Sequence, residues 1–183
     1  SRMLPTYDIT LPMVEGPFQD PSGISAFFDK GKGGLTPARM VQLVKRDFLT
    51  SVAVLARSVK AHRPSLIMAD GQGALVTLGL MKPLILESCL ALRDVALQEA
   101  VAIGRAWAAV KASVITQPRL GRAKLDIEVL RQAVPELFEF GHPWAPSCVA
   151  IESRYGPTHE HERALLKLLE VPVHSTLEDV LLK

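Results

Sequence analysis

Residues 64–74, PSLIMADGQGA, constrain the fold more than any other stretch of this chain. Pro64 ends any helix running up to it, because proline lacks the backbone N–H that a helix interior needs. Leu66, Ile67, Met68 and Ala69 then have the apolar composition of a buried strand. Asp70-Gly71-Gln72-Gly73 is a tight turn, and the apolar residues 74–80 can begin a helix. A strand that turns directly into a helix is the unit from which parallel sheets with helical cover are built.

The flanking sequence supplies the same parts in alternation. Residues 7–14 alternate and are rich in Ile, Leu and Val, as in a strand, and end at the turn signal Glu15-Gly16-Pro17. Residues 19–34 read as a loop, with Pro21, Gly23 and the cluster Gly31-Lys32-Gly33-Gly34. Thr36-Pro37 is an N-cap followed by proline at the first helical position. Met40, Val41, Val44, Phe48, Val52, Leu55 and Val59 form one apolar stripe on a helix reaching about His62. Beyond the turn, Pro83 divides an Ala- and Leu-rich region into a short helix and a longer one that begins at Leu84 and ends near Trp107. Residues 110–116 fit a helix end or a strand. Residues 125–134 predict a short helix and residues 147–151 a buried strand. Thr158 caps a helix whose first turn holds Glu160 and Glu162, acids that suit the helix dipole. Residues 171–173 are strand-like, and Ser175-Thr176-Leu177-Glu178 is a capping box for a final helix. Strands alternating with helices predict one α/β domain over residues 1–183, an open, mostly parallel sheet with helices on both faces.

Composition narrows the function classes. With 48% apolar and 22% charged residues, the chain is globular in kind rather than disordered. A net charge of +2 lacks the concentrated basic surface of a nucleic-acid module. Charged residues interrupt every apolar run before it reaches membrane-spanning length, so neither nucleic acid nor membrane is expected as a partner. Cys89 and Cys148 stand far apart in apolar surroundings and predict buried free thiols in a reducing compartment. No secretory leader opens the sequence, and its start at Ser1-Arg2-Met3 suggests a piece cut from a longer protein. A soluble, cytoplasmic domain is the expectation.

Three stretches carry a family resemblance. DITLPMVEGPF at residues 8–18 is similar to a strand ending in a D-G/A-P-F/H turn. ADGQGA at residues 69–74 is similar to a G-F-S-Q-G-A nucleophile elbow. PSCVAIESRY at residues 146–155, followed by RALLKLL at residues 163–169, is similar to the late strand and helix flanking a catalytic acid. Together, over about half the chain, they resemble the α/β-hydrolases, nearest to the FSH-type serine hydrolases. The resemblance implies an elbow whose reactive side chain is exposed at the apex of the turn above the sheet. It also places the nucleophile at Gly71, the acid near Tyr155 and the histidine near His174, while the strand that would supply an oxyanion-hole turn has no counterpart before Tyr7. A glycine offers nothing for nucleophilic attack. A tyrosine does not orient an imidazolium as a carboxylate does. The backbone N–H of Gln72 would survive as half an oxyanion hole, since it needs no particular side chain.

Each remaining candidate has a plainer explanation. Asp70 is the reactive side chain nearest the elbow, at the carboxyl end of a strand where α/β folds place their sites, yet Asp before Gly is ordinary turn chemistry. Gly71, Gln72 and Gly73 could hold an anion on free helix amides, but Val76 stands where a dinucleotide fingerprint has its third glycine. Lys32 is followed by Gly33 rather than the Ser or Thr of a phosphate loop. His159 and His161 are two apart and do not share a helix face as a zinc pair does. Arg119, Arg122 and Lys124 lack the interleaved aromatics of a base-stacking surface. Cys148 is a packing residue within an apolar strand.

The chain therefore reads as a non-catalytic α/β-hydrolase-like domain that binds a protein partner or a small acyl-type ligand at Gly71, Gln72 and Gly73, with no cofactor and no metal. A second reading is a serine-independent ester or thioester hydrolase using Asp70 and His174, with Glu152 in support. A third is a structural module of a larger assembly, oligomerising through the apolar stretch from Leu84 to Trp107.

Overall fold

The computed structural model describes residues 12–20, 22–29, 35–92, 96–118, 127–139, 147–151 and 159–174. A short antiparallel hairpin comes first, β1 (Phe18–Gln19) and β2 (Ser25–Ala26), where the sequence predicted loop. Asp20 makes it: its carboxylate accepts from the backbone N–H and hydroxyl of Ser22 and from the N–H of Ile24. Such local side-chain bonds close a turn without any apolar signature. Pro12 to Val14, expected as the end of a strand, carry no regular structure, and the remainder of that expected strand lies outside the described residues.

Helix α1 (Pro37–His62) matches its sequence signals. The Thr36 hydroxyl accepts from the Arg39 N–H, Pro37 occupies the first turn, and Lys60 and His62 sit at the negative end of the dipole. At the other end Arg63 adopts the left-handed conformation (φ 46°) and donates its N–H to Val59 O at 2.8 Å. Phe48, Val52, Leu55, Ala56 and Val59 are buried, whereas Met40, at the helix start, is 38% exposed. Each fully buried side chain of this size contributes about 1.5–3 kcal/mol relative to its exposed state. α1 packs against α2 (Gly71–Leu80), α3 (Pro83–Leu92), α4 (Leu97–Ala108) and α5 (Ile127–Ala133), and so forms the axis of the helical layer. The long helix expected from Leu84 to Trp107 is instead two, because the backbone at Ala96 is extended (ψ 140°) and restarts α4 there.

Four parallel strands form the sheet: β3 (Leu66–Asp70), β4 (Ala112–Thr116), β5 (Ser147–Ile151) and β6 (Val173–His174), in that spatial order. Residues 112–116 are thus strand, the choice the sequence left open. A 3-10 turn (Pro135–Phe138) follows α5, and α6 (His159–Leu168) lies between β5 and β6. Glu162 in its first turn is buried rather than solvated. The capping residue Thr158 and the capping box at Ser175 lie outside the described residues. An α/β class with a parallel sheet flanked by helices is what the chain adopts.

Sheet register assigns the faces. Ile67, Ser113 and Cys148 share one row and side, and Ala69, Ile115 and Ala150 the next. Ile67, Ile115, Cys148 and Ala150 join buried side chains of the helices α1 to α6 in a single cluster. On the opposite face Leu66 is 43% and Met68 62% exposed, against the fully buried strand that their composition suggested. The apolar run in β3 therefore marks parallel-sheet membership, not burial on both sides.

Two glycines in helices should respond oppositely to alanine. A β-carbon at Gly79 would stand 2.5 Å from the Phe48 ring and 3.0 Å from Val52, whereas one at Gly104 meets nothing within 4 Å. Gly104→Ala should stabilise by about 0.5–1 kcal/mol through helix propensity. Gly79→Ala gains the same term but incurs about 1–3 kcal/mol of overpacking, so its urea midpoint should fall. Equal shifts of one sign would contradict this packing.

Candidate functional site

The strand-to-helix turn forms as the sequence predicts. β3 ends at Asp70, and α2 begins at once with Gly71, whose φ is +58°. That left-handed conformation costs an L-residue about 1–2 kcal/mol and costs glycine almost nothing. The residue type at the apex is therefore explained by backbone geometry alone. Gly71 is buried, however, and it is Asp70 that is exposed.

Asp70 sits at the N-cap position of α2 but makes no capping bond. Its Oδ1 accepts instead from the Thr116 hydroxyl at 2.5 Å, across to the carboxyl end of β4. Thr116 has no signature in the sequence, since a threonine ending a short apolar strand carries no signal of its own. Next to it, Gln117 also takes a left-handed conformation (φ 48°). The carboxyl ends of β3 and β4 thus present two positive-φ residues, Gly71 and Gln117, around an Asp–Thr pair. This is the edge of the sheet at which open α/β folds bind ligands.

His174 occupies the same register row as Asp70, Thr116 and Ile151. It lies three strands from Asp70, on the order of 14 Å at normal strand spacing. The structure aligns the two candidate catalytic residues along one edge without bringing them into hydrogen-bond reach of each other. Glu152, Tyr155, Arg119, Arg122, Lys124 and the Gly31–Gly34 cluster lie outside the described residues. Among the described residues no group of three or more His, Cys, Asp or Glu gathers as a metal site.

A backbone strap crosses the start of α2. The Gln72 side-chain Oε1 accepts from the Phe27 N–H at 3.0 Å, and the Ser51 hydroxyl donates to Phe27 O at 2.6 Å. A β-carbon at Gly73 would lie 3.5 Å from the Phe27 ring, so the glycine gives that ring room. Asp47, 1% exposed, accepts from the Asp29 N–H at 2.9 Å and from Arg46 Nε at 2.8 Å. Arg46 in turn lies over the Phe18 ring, 5.9 Å from its centroid, in a cation–π contact. Residues 27–29 are thereby fastened to both α1 and the elbow. Gln72, a predicted ligand contact, has its amide oxygen engaged in this strap. Long-range side-chain-to-backbone bonds of this kind leave no periodic trace in a sequence.

Two other reactive groups are remote from the turn. Cys148 lies on the core face of β5, where burial pushes its thiol up to about 12 and leaves it unreactive. Lys82, between α2 and α3, is buried and donates to Glu139 O at 3.2 Å. Burial lowers its pKa, an effect opposed by the nearby charges of Glu139 and Glu170.

No protein-family model, curated protein or solved structure matches the chain. No helix among the described residues is long and apolar enough to cross a membrane.

The strap can be tested through its buried carboxylate. Asp47→Ala removes the acceptor of the Asp29 N–H and the partner of Arg46, and should cost about 2–3 kcal/mol. Amide exchange at Phe27 and Asp29 should accelerate in that variant more than exchange in α4. Unchanged stability together with unchanged protection at these amides would show that the strap is held by other means.

Proposed function

We propose that this chain is a non-catalytic α/β-hydrolase-like domain that binds a protein partner or a small acyl-type ligand at the carboxyl edge of β3 and β4. The observation that carries the reading is the apex of the turn. A strand passes into a helix through a left-handed residue, as in a nucleophile elbow, and that residue is Gly71, which has no reactive atom. The order of parts supports the resemblance: a helix, the elbow strand, the elbow helix and three further parallel strands on one side. What the edge offers a ligand is recognition chemistry, namely the exposed Asp70 carboxylate, the Thr116 hydroxyl and the backbone around Gly71 and Gln117.

Hydrolysis without serine would need Asp70 or His174 to generate a nucleophile. A general base must reach the proton it abstracts directly or through one water, and Asp70 and His174 stand too far apart to serve each other. Short acyl esters and thioesters are the substrates to test, with the wild-type chain beside Asp70→Ala and His174→Ala. The expected result is no turnover above buffer for any of the three. NMR titration with short acyl amides should perturb the amides of Gly71, Gln72 and Thr116. Turnover that either substitution abolishes would overturn the proposal in favour of an enzyme.

A further inference from the structure

A cavity lies at the end of the sheet opposite the Gly71 turn, near the amino ends of β3 and β4. It has a volume of about 470 Å³ and is walled by Lys60 and Arg63 from the end of α1 and by Gln98, Val101, Ala102 and Arg105 from α4. That volume falls within the range of small-molecule sites. The length of β3, five residues, separates it from the elbow by roughly 17 Å.

Its electrostatics do not cancel. Glu99 pairs with the lining Lys60 at 3.6 Å and is shared with Arg57 at 3.8 Å. Among the described residues, Arg63 and Arg105 have no ion-pair or hydrogen-bond partner for their guanidinium groups. The carboxyl ends of α1 and α4 contribute about half a negative charge each. Three cations therefore face Glu99 and two half-charges, and a net positive charge remains. Beside it the α4 surface is apolar: Val101 is 44% and Leu97 80% exposed. These stand one and two turns before Arg105, so the apolar strip runs about 11 Å from the arginine.

The backbone adds an independent observation. Arg63 caps α1 with φ 46°, a position where glycine is strongly preferred because a β-carbon is strained there. An arginine there bears a strained backbone while its guanidinium has no ion-pair or hydrogen-bond partner, the pattern expected where a side chain serves a ligand.

We infer that this cavity binds a small amphipathic anion: a carboxylate or phosphate held by Arg63 and Arg105, with a short alkyl chain along Val101 and Leu97. Guanidinium groups suit both heads, since each presents paired oxygens for bidentate hydrogen bonding. An eight-carbon chain matches the length of the strip. The site is independent of the elbow and of what binds there.

Arg63→Gly separates ligand binding from folding. Glycine relieves the left-handed cap, so the urea midpoint should rise while affinity falls. Octanoate titrated by calorimetry should bind the wild-type chain saturably, and about tenfold or more weakly in Arg63→Gly and in Arg105→Ala. Inorganic phosphate should compete with octanoate but bind more weakly, lacking the chain. Vesicles of equal parts phosphatidylcholine and phosphatidylserine test a lipid headgroup as the source of the anion, and should bind the wild-type chain and the two variants alike. No octanoate binding, affinity unchanged in both variants, or vesicle binding lost in them while octanoate binding is absent would each overturn the inference.

Discussion

The Phe48 ring fills the space that a β-carbon would need at Gly79. This close approach lets α2 lie against α1, and the rest of the described architecture depends on it. α1 touches four other helices, so fixing α2 on its surface fixes where the elbow helix starts. That start positions Gly71, Gln72 and the end of β3. The same face of α1 supplies Ser51 and Asp47, which hold residues 27–29 over the first turn of α2. Helix packing and strap therefore have one origin, and the geometry of the turn is set from two sides.

Within that frame the elbow is a backbone device. Gly71 satisfies a left-handed φ at no steric cost, and the side chain after it, Gln72, is used to tether Phe27. Asp70 points across to Thr116 and not into a catalytic partner. Among the described residues, Asp70 and Gln72 are engaged in hydrogen bonds and His174 stands three strands from Asp70. The carboxyl edge carries the exposed Asp70, Thr116 and two left-handed residues, Gly71 and Gln117. At the amino edge, strain is spent differently: Arg63 caps α1 in a conformation that favours glycine, and its guanidinium has no ion-pair or hydrogen-bond partner.

Local structure is legible in the sequence wherever a backbone requirement dictates a residue type. Thr36-Pro37 marked the start of α1, Pro64 the break before β3, and Asp70-Gly71 the turn, because capping, proline chemistry and left-handed φ each demand particular residues. Interactions between distant residues were not legible. The hairpin at residues 18–26 is built by one aspartate bonding its neighbours, and the strap by bonds spanning 18 to 45 residues. Leu66 and Met68 misled because an apolar strand composition does not reveal which face is covered. The apolar stretch after Pro83 concealed the restart at Ala96, where a change in ψ, with no proline or glycine at that residue, separates α3 from α4. The pairing of Arg63 with Arg105 around one cavity depends on how α1 meets α4, which no spacing rule encodes.

The proposal most in need of a test is that the turn serves binding in the geometry of a nucleophile elbow, with the chemistry absent beyond a single side chain. Gly71→Ser tests this most directly, because it returns a hydroxyl to the apex and leaves every partner as it is. Incubation with a fluorophosphonate or an activated acyl ester, followed by intact-mass measurement, reads whether that hydroxyl is activated. The account predicts no adduct, with a stability loss of about 1–2 kcal/mol from the left-handed backbone. Stoichiometric acylation of the variant at the substituted position would contradict it, because a working base and oxyanion hole would then have been waiting for the serine.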